Sequence, residues 1–234
     1  MGAMGLISIC IPCMNRLPDM KMSLPNNIRA ANASPPVEIV ILDYNSNDEL
    51  SCYIDQVRKD APIGDGNSLR YFRYTKPEYY HNAHARNLVS VLAKGDYLVE
   101  LGSDASLNED SIKTIRKLVK DNQCDFMYPF GIEGIMVVNR DEFIKAGGYD
   151  ERMELYGAED KDLSYRLIRR GLKHGELPTN FVKVNYTKRI NKVKNYRLSE
   201  MNWREMAAVN YVYFRENIAN NSLVANEGKE WGQW

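Results

Sequence analysis

Two stretches decide the fold of this chain: Ile7-Ser-Ile-Cys-Ile11, and further along Glu38-Ile-Val-Ile-Leu42. Both are short, nearly continuous apolar runs, the pattern of strands that are buried on both faces of a parallel sheet. Pro12 is expected to end the first strand, and the turn formers of 43–48 follow the second. Apolar runs alternate with amphipathic stretches for most of the length, which predicts an α/β fold.

The remaining elements follow from the same pattern. It predicts strands at 69–74, 97–101, 125–130, 134–139 and 181–184, and helices at 83–93, 140–146 and 159–170. Asn108 is expected to cap a further helix. From 199 to 218, apolar residues recur at three-to-four spacing, which favours a helix packed on the core and leaves membrane or partner contact open. That stripe is Trp203, Met206, Ala207, Tyr211, Phe214 and Ile218.

Composition narrows the class of protein. Of 234 residues, 44% are hydrophobic and 26% are charged, which excludes a disordered chain and a disulfide-dense miniprotein. The 31 basic and 31 acidic residues cancel, so no global field favours nucleic acid. The sequence predicts no transmembrane segment and no signal peptide, a cytoplasmic location, and a non-native leader at residues 1–5. The four cysteines are interpreted as free thiols, although Cys10 and Cys13 have redox-motif spacing.

Polar residues follow three of the predicted strands. Asn15 and Arg16 come after the first strand, Asp43 and Asn45 after the second, and 102–104 (Gly-Ser-Asp) after the fourth. In open α/β sheets, ligands bind outside the carboxyl ends of the strands, so these side chains are expected to share one crevice. None of them belongs to a glycine-rich phosphate loop. A carboxylate at such a place can hold a divalent cation, or it can simply form a turn.

A second group of carboxylates begins the helix predicted at 159–170. Glu159 and Asp160 follow the segment 147–158, which contains three glycines. Acidic residues are favoured at a helix start by the helix dipole. The same placement can leave one carboxylate ionised and directed into a pocket, as a general base requires. The residues alone leave both interpretations open.

Four blocks in this order resemble family 2 glycosyltransferases of the GT-A fold. The blocks are 7–16, 38–48, 85–107 with the end of a metal-binding DxD motif, and 147–167, which is similar to the acceptor-side motif of galactosyltransferase-like enzymes. The resemblance spans roughly residues 6 to 186 and implies a mixed, mostly parallel sheet flanked by helices. It also implies a GT-A catalytic domain at 6–190, with a nucleotide-binding part (6–107) and an acceptor-binding part (124–190), followed by a C-terminal helix and tail at 191–234.

The resemblance further implies a site and a reaction. A sugar would pass from a nucleotide donor, a UDP-sugar, to a hydroxyl of a glycan or other acceptor, with inversion. Asp160 would be the general base, Glu159 would orient the acceptor, and Asp104 would bind Mn²⁺ or Mg²⁺. Asp43 would accept the uracil imide N–H. The donor side as a whole would comprise Pro12, Asn15, Arg16, Asp43, Asn45, Arg86, Ser103, Asp104, Lys188 and Arg189.

Two departures from the family pattern bear on the metal. Gly102 stands where the family has the first DxD carboxylate, and Asn185 and Tyr186 stand where many relatives carry a late histidine. The basic stretch 187–197 follows, and its lysines and arginines either form a solvated loop or help to neutralise the diphosphate. Two alternatives therefore stay open beside the inverting enzyme: a retaining transferase, and an idle nucleotide-sugar or glycan-binding protein.

Overall fold

The computed structural model describes residues 5–61, 63–121, 124–129, 131–132, 134–185 and 193–234. The two apolar runs that decide the fold form neighbouring parallel strands, β1 (Ile7–Cys13) and β2 (Val37–Tyr44), and every residue of both is buried. The expected end of the first strand at Pro12 is wrong, because Pro12 pairs in register with Leu42 and the strand continues to Cys13.

A seven-stranded sheet forms the centre of the molecule. Its order is β3-β2-β1-β4-β7-β6-β8, in which β7 runs antiparallel to both of its neighbours and the other pairings are parallel. The further strands are β3 (Ser68–Tyr74), β4 (Tyr97–Glu100), β6 (Phe126–Pro129), β7 (Met136–Asn139) and β8 (His174–Leu177), and β5 (Ala105–Leu107) pairs with β9 (Val182–Val184) in a small separate sheet. The expected mixed, mostly parallel sheet is confirmed.

Helices cover both faces of this sheet. They are α1 (Leu17–Ala33), α2 (Leu50–Asp60), α3 (Asn82–Leu92), α4 (Ser111–Lys120), α5 (Arg140–Lys145), α6 (Glu159–Arg169) and α7 (Trp203–Ala219). One apolar core contains residues of α1, α2 and α4, and a second contains residues of α3, α5 and α6. Burial of these two faces is the main favourable term that holds the layers together. The predicted cap of α4 is displaced: its N-cap is Asp110, and Asn108 instead accepts the Asp110 N–H at 2.9 Å.

The last helix differs from its sequence prediction. Its buried residues are Met206, Asn210 and Asn217, whereas Ile218 is 41% exposed. Of the predicted apolar stripe, only Met206 is fully buried, and the other five residues are partly or largely exposed. Two asparagines occupy the other buried positions because their side chains bind polar groups of the neighbouring loop and helix.

The chain returns to the main body after α7. Ala225 N–H donates to the Ala146 carbonyl, and the Gly232 N–H donates to the Glu151 carboxylate. The ring of Trp231 lies 6.2 Å from that of Phe143. The described tail is thus packed on α3 and α5.

Two further expectations from the sequence concern membrane-spanning helices and the cysteines. Among the described residues, no helix combines the length and apolarity needed to traverse a bilayer. The four cysteines are free thiols, as the sequence indicates.

Candidate active site

A cavity of about 440 Å³ opens at the carboxyl ends of β1 and β4, facing the first turn of α6. Three segments meet there: 12–14 and Arg16 at the end of β1, 102–105 after β4, and 156–161 at the start of α6. Parallel strands bring the residues that follow them to one edge of the sheet, and β7, running the opposite way, brings Gly134 and Ile135 to the same edge.

Seven of the predicted site residues line this one cavity: Pro12, Arg16, Arg86, Ser103, Asp104, Glu159 and Asp160. The candidate donor-side and acceptor-side carboxylates, Asp104 and Asp160, are among them although 56 positions separate them in the sequence. Asn15, Asp43 and Asn45 are not part of its lining. Lys188 and Arg189 lie outside the described residues.

Asp43 supports the loop after β2. Its side chain is 1% exposed, and its two carboxylate oxygens accept the Ser46 N–H at 2.7 Å and the Tyr71 hydroxyl at 2.6 Å. Both carboxylate oxygens thus already accept hydrogen bonds within the protein. A bond between Asp43 and a nucleobase stays a prediction.

The two asparagines hold neighbouring turns. Asn15 and Asn45 have φ values of 54° and 57°, a left-handed conformation that asparagine tolerates better than most residues. The Asn15 carboxamide oxygen accepts the Asn47 N–H at 2.7 Å, and Asn45 donates to the Pro77 carbonyl at 2.8 Å. They therefore fix the loops that border the cavity.

Arg16 joins two carboxylates at the donor side. Its Nε lies 2.5 Å from an Asp19 oxygen, and its Nη2 lies 3.7 Å from an Asp104 oxygen. The side chains of Arg16 and Asp104 are 14% and 12% exposed, so this pair is mostly shielded from solvent. The arrangement holds one guanidinium at the cavity beside the Asp104 carboxylate, and guanidinium groups can bind phosphate oxygens.

The residues of the cavity fit a divalent cation that takes most of its ligands from the phosphates of a bound substrate. No group of three histidine, cysteine, aspartate or glutamate side chains suited to a metal occurs in the described ranges. A Cβ at Gly102 would lie 2.7 Å from an Asp104 oxygen, so the place of the missing DxD carboxylate directly adjoins the remaining one. Mg²⁺ is commonly bound by one or two carboxylates together with substrate phosphates. Asp104 supplies one such ligand.

Arg86 is a buried cation at the floor of the cavity. It is 4% exposed, one of its Nη atoms donates to the Tyr149 hydroxyl at 3.0 Å, and the other donates to the Gly134 carbonyl. Among the described residues, no carboxylate lies within ion-pairing distance of its guanidinium. The negative charges of Glu159 and Glu100 favour the charged guanidinium, but its hydrogen bonds go to neutral groups. A guanidinium at a cavity is suited to bind an anionic ligand through charge-assisted hydrogen bonds.

Glu159 and Asp160 begin α6 after a sharp turn. Gly157 and Ala158 adopt positive φ values of 90° and 72°, which direct the chain into the helix with both carboxylates at the cavity. Glu159 is 4% exposed, and one of its oxygens accepts the Asn82 Nδ2–H at 2.6 Å. The other oxygen is buried, and no group in the described part of the chain donates to it. Asp160 accepts the Gly134 N–H and the Lys161 N–H, both at 2.9 Å.

The pKa of Glu159 is shifted by its surroundings. Burial, and next the negative charge of Asp160, raise it from 4.5 to about 7, although Arg86 and the bond from Asn82 act in the opposite direction. A carboxyl group that titrates near neutral pH, in a cavity and beside a second carboxylate, is typical of sites that move protons.

Several further residues line the cavity although the sequence pattern does not predict them as site residues. They are Tyr80, Asn82, Tyr156, Lys161, Asn195, Tyr196, Trp203, Ala207 and Tyr211. A signal exists for three of them, since the spacing of Trp203, Ala207 and Tyr211 marks one helix face, but that spacing favours packing on the core. No sequence signal marks Asn82 or Asn195.

None of the three histidines lines the cavity. Their rings make capping, hydrogen-bonding and stacking contacts elsewhere in the structure. His81 caps α3 by accepting the His84 N–H at 3.2 Å, and His84 pairs with the Tyr44 hydroxyl at 2.9 Å. The ring of His174 stacks on that of Tyr128, with centroids 4.2 Å apart.

Comparison with known proteins identifies the family. The model described as glycosyl transferase family 2 matches residues 8–173, which is more than half of the chain. This chain belongs to glycosyl transferase family 2. A model described as glycosyltransferase like family 2 also matches residues 118–233, so the family 2 relationship extends over α7 and the tail. The resemblance stated from the motifs is confirmed.

One curated relative of this family 2 chain is N-acetylgalactosaminyltransferase 7 of Drosophila melanogaster. It is 24% identical over 181 residues, which cover 71% of the chain and 29% of the relative. The chain therefore spans less than a third of the length of that protein.

Solved structures show that this family 2 chain has the GT-A fold. GalNAc-T7 with UDP, GalNAc and Mn²⁺ has a TM-score of 0.69 at 16% identity, covering 92% of this chain and 48% of that chain. The mannosyltransferase PcManGT of Pyrobaculum calidifontis, in complex with GDP-Man and Mn²⁺, gives 0.66 at 15% identity, covering 95% and 73%. S. aureus TarS 1–349 with UDP gives 0.61 at 10% identity, covering 91% and 72%.

Proposed function

We propose that this family 2 chain is a glycosyltransferase that moves a sugar from a nucleoside diphosphate sugar, of the UDP class, to an acceptor hydroxyl with inversion. One observation carries the proposal: the cationic donor-side residues and the Glu159–Asp160 pair line the same cavity. Relatives support the choice of donor, since structures of GalNAc-T7 and TarS were solved with UDP.

The donor half of the cavity is built for an anion. Arg16 and Arg86 supply two guanidinium groups at fixed positions, and Pro12 and Ser103 complete the wall between them. Guanidinium groups bind phosphate oxygens through charge-assisted hydrogen bonds. Asn15, Asp43 and Asn45 contribute to this half through the loops they fix, and residues 6–107 form the proposed nucleotide-binding part.

A divalent cation, Mn²⁺ or Mg²⁺, is part of the proposal, with Asp104 as its protein ligand. When bound, such a cation stabilises negative charge on the departing diphosphate. Two neighbouring structures, GalNAc-T7 and PcManGT, contain Mn²⁺. The chain's own contribution is to hold the Asp104 carboxylate at the cavity and to place the Arg16 charge 3.7 Å away.

Residues of the proposed acceptor-binding part, 124–190, accept the proton that the acceptor hydroxyl loses. The acceptor oxygen forms a bond to the anomeric carbon, the bond from that carbon to the diphosphate oxygen breaks, and the hydroxyl proton passes to the Asp160 carboxylate. Backbone N–H groups of Gly134 and Lys161 fix the orientation of that carboxylate. Glu159, held by Asn82, orients the acceptor beside it.

The proposal is tested by measuring UDP release from a panel of UDP-sugars, with Mn²⁺ and with EDTA. We expect hydrolysis or transfer of at least one donor, and the anomer of the product, determined by NMR, to be inverted. Asp160→Asn should retain UDP binding and lose transfer by at least about a hundredfold, a typical contribution of a general base. Binding of UDP-sugars without turnover would refute the proposed transferase activity. Full activity of Asp160→Asn would refute the assignment of Asp160 as the general base.

A further inference from the structure

One side of α7 forms part of the cavity wall. Trp203, Ala207 and Tyr211 lie at successive four-residue intervals, which places them on the same face of the helix. All three line the cavity, together with Tyr156 from the loop before α6. We refer to the rings of Tyr156, Trp203 and Tyr211 as the aromatic wall.

The helix that carries this wall is firmly anchored. Asn202 and Glu205 form a reciprocal capping box at its start, which satisfies backbone N–H groups there. Asn210 donates to the carbonyls of Leu155 and Gly157 at 2.8 and 2.7 Å. Trp203 and Tyr211 are therefore presented by an anchored helix, and Tyr156 joins them from the loop that Asn210 binds.

A second contact ties α7 to the catalytic helix. Asn217 donates to Asp162 of α6 at 2.8 Å and to Asp150 at 2.9 Å. A Cβ at Gly157 would lie 3.1 Å from the Ala207 Cβ, so α7 approaches the turn before Glu159 as closely as a glycine allows. The aromatic wall is thus held in a fixed position beside the Glu159–Asp160 pair.

The chemistry of the wall differs from that of the donor half. The Arg204 guanidinium lies over the Trp203 ring at 4.9 Å from its centroid, and the Lys161 Nζ lies 5.6 Å from the centroid of the Tyr211 ring, so each of these rings has one face covered by a cation and a second, apolar face on which a ligand would stack. The hydroxyl of Tyr211 also accepts a hydrogen bond from the Lys161 Nζ at 2.9 Å. A pyranose ring matches this combination, because one of its faces consists of C–H groups while its hydroxyls project from the edge. A peptide matches it less well, since the Leu155 and Gly157 carbonyls are already bound by Asn210.

We propose that the aromatic wall is the acceptor subsite and that the acceptor is a saccharide, whose ring stacks on Trp203 and Tyr211 while one hydroxyl meets the Glu159–Asp160 pair. This inference rests on the proposed transferase function for its place in the reaction. Binding of the saccharide itself does not require the donor to react, so the two can be tested apart.

The first experiment measures binding alone. Methyl glycosides of glucose, galactose, mannose, N-acetylglucosamine and N-acetylgalactosamine, and a serine- and threonine-containing peptide, are examined with the full chain by saturation-transfer NMR. We expect at least one glycoside to bind and Trp203→Ala to weaken its binding by roughly tenfold, which corresponds to the loss of one aromatic stacking contact. Trp203→Phe should restore part of the affinity.

A matched control lies on the same helix. The ring of Tyr213 packs under the guanidinium of Arg152 at 5.3 Å and is not part of the cavity lining. Tyr213→Ala removes an aromatic side chain from α7 without touching the wall, so glycoside binding should be unchanged. Retained UDP binding by Trp203→Ala, measured in parallel, shows that the donor half is folded.

The second experiment measures turnover with the donor identified above. Trp203→Ala and Tyr211→Ala should raise KM for the glycoside more than they lower kcat. Glycoside binding that is unaffected by Trp203→Ala and Tyr211→Ala overturns the subsite, and so does binding or use of the peptide but of no glycoside. Glycoside binding that depends on Trp203 in a chain that never consumes a donor supports the subsite and refutes the proposed transferase.

Discussion

Replacement of Glu159 by glutamine should change how the stability of the protein depends on pH. The pKa of this buried carboxyl is raised from 4.5 to about 7 in the folded chain. Between these two values the folded state holds the proton and the unfolded state releases it. Stability contributed by Glu159 is therefore fully present below pH 4.5 and is lost as the pH rises to about 7.

The size of the effect follows from the shift. A difference of about 2.5 pKa units corresponds to about 3 kcal/mol in the free energy of unfolding. Glutamine keeps the oxygen that accepts from Asn82, but its NH₂ group takes the position of the unpartnered carboxylate oxygen. That buried amide costs about 1–3 kcal/mol at every pH. The informative quantity is therefore the change between two pH values, not the stability at either one.

Thermal unfolding of the wild type and Glu159→Gln at pH 5 and pH 8 measures this change. Because part of the effect is already lost below pH 5, we expect the variant to gain about 2.5 kcal/mol relative to the wild type between these pH values, which is about 5–10 °C in Tm for a chain of this size. The exposed Glu227 provides the control, since Glu227→Gln should alter stability by less than about 0.5 kcal/mol. If the Tm difference between Glu159→Gln and wild type is the same at both pH values, the argument from burial is refuted.

Three further predictions concern the metal, the buried ion pair and the tail. Mn²⁺ should bind at least about tenfold more tightly in the presence of UDP than alone, because the Asp104 carboxylate by itself would fill only a small part of the coordination shell of the cation. Equal affinities by calorimetry would contradict this. Asp162→Ala should lower the free energy of unfolding, measured with urea, by about 3–5 kcal/mol, because it leaves the fully buried Arg166 without the carboxylate 2.8 Å away. A loss below about 1 kcal/mol would show that the ion pair is dispensable. Gly147→Ala should lower Tm and expose the tail to limited proteolysis, because the glycine has a φ of 72° and the new Cβ would lie 2.0 Å from the Ala225 carbonyl oxygen. If the variant behaved like the wild type in both assays, the close contact between Gly147 and Ala225 would be contradicted.

The sheet and most of its helices were predictable from local sequence. The runs that form β1 and β2 are mostly apolar, and no long-range information is needed to recognise that pattern. The buried exceptions Ser8 and Glu38 are hydrogen-bonded to each other across the two strands at 2.6 Å. Errors of boundary arose where a nonlocal contact extended an element, as when pairing with Leu42 carried β1 past Pro12. The strand β8 was missed because His174 and Gly175 give it little β-strand character.

The candidate site was predictable only in part. Polar residues after strands are conspicuous in an α/β sequence, and seven of the predicted site residues do line one cavity. The contacts of Asp43 were not predictable, because they depend on the turn that brings Ser46 back to the end of β2 and on the pairing of β2 with β3, which carries Tyr71. The aromatic wall was visible as a periodic stripe, but periodicity does not distinguish a face that packs on a core from one that lines a cavity.

The sequence by itself determined the layered α/β architecture, the polar ends of its strands and membership of a transferase family, since these depend on hydrophobic patterning and on motifs that are contiguous in the chain. Only the tertiary structure decided which carboxylates share a cavity, that one Glu159 oxygen is buried with no donor among the described residues, and which face of α7 is turned toward the site. Those properties arise from solvent exclusion and from contacts between residues far apart in sequence, and neither is encoded in any single stretch of the chain.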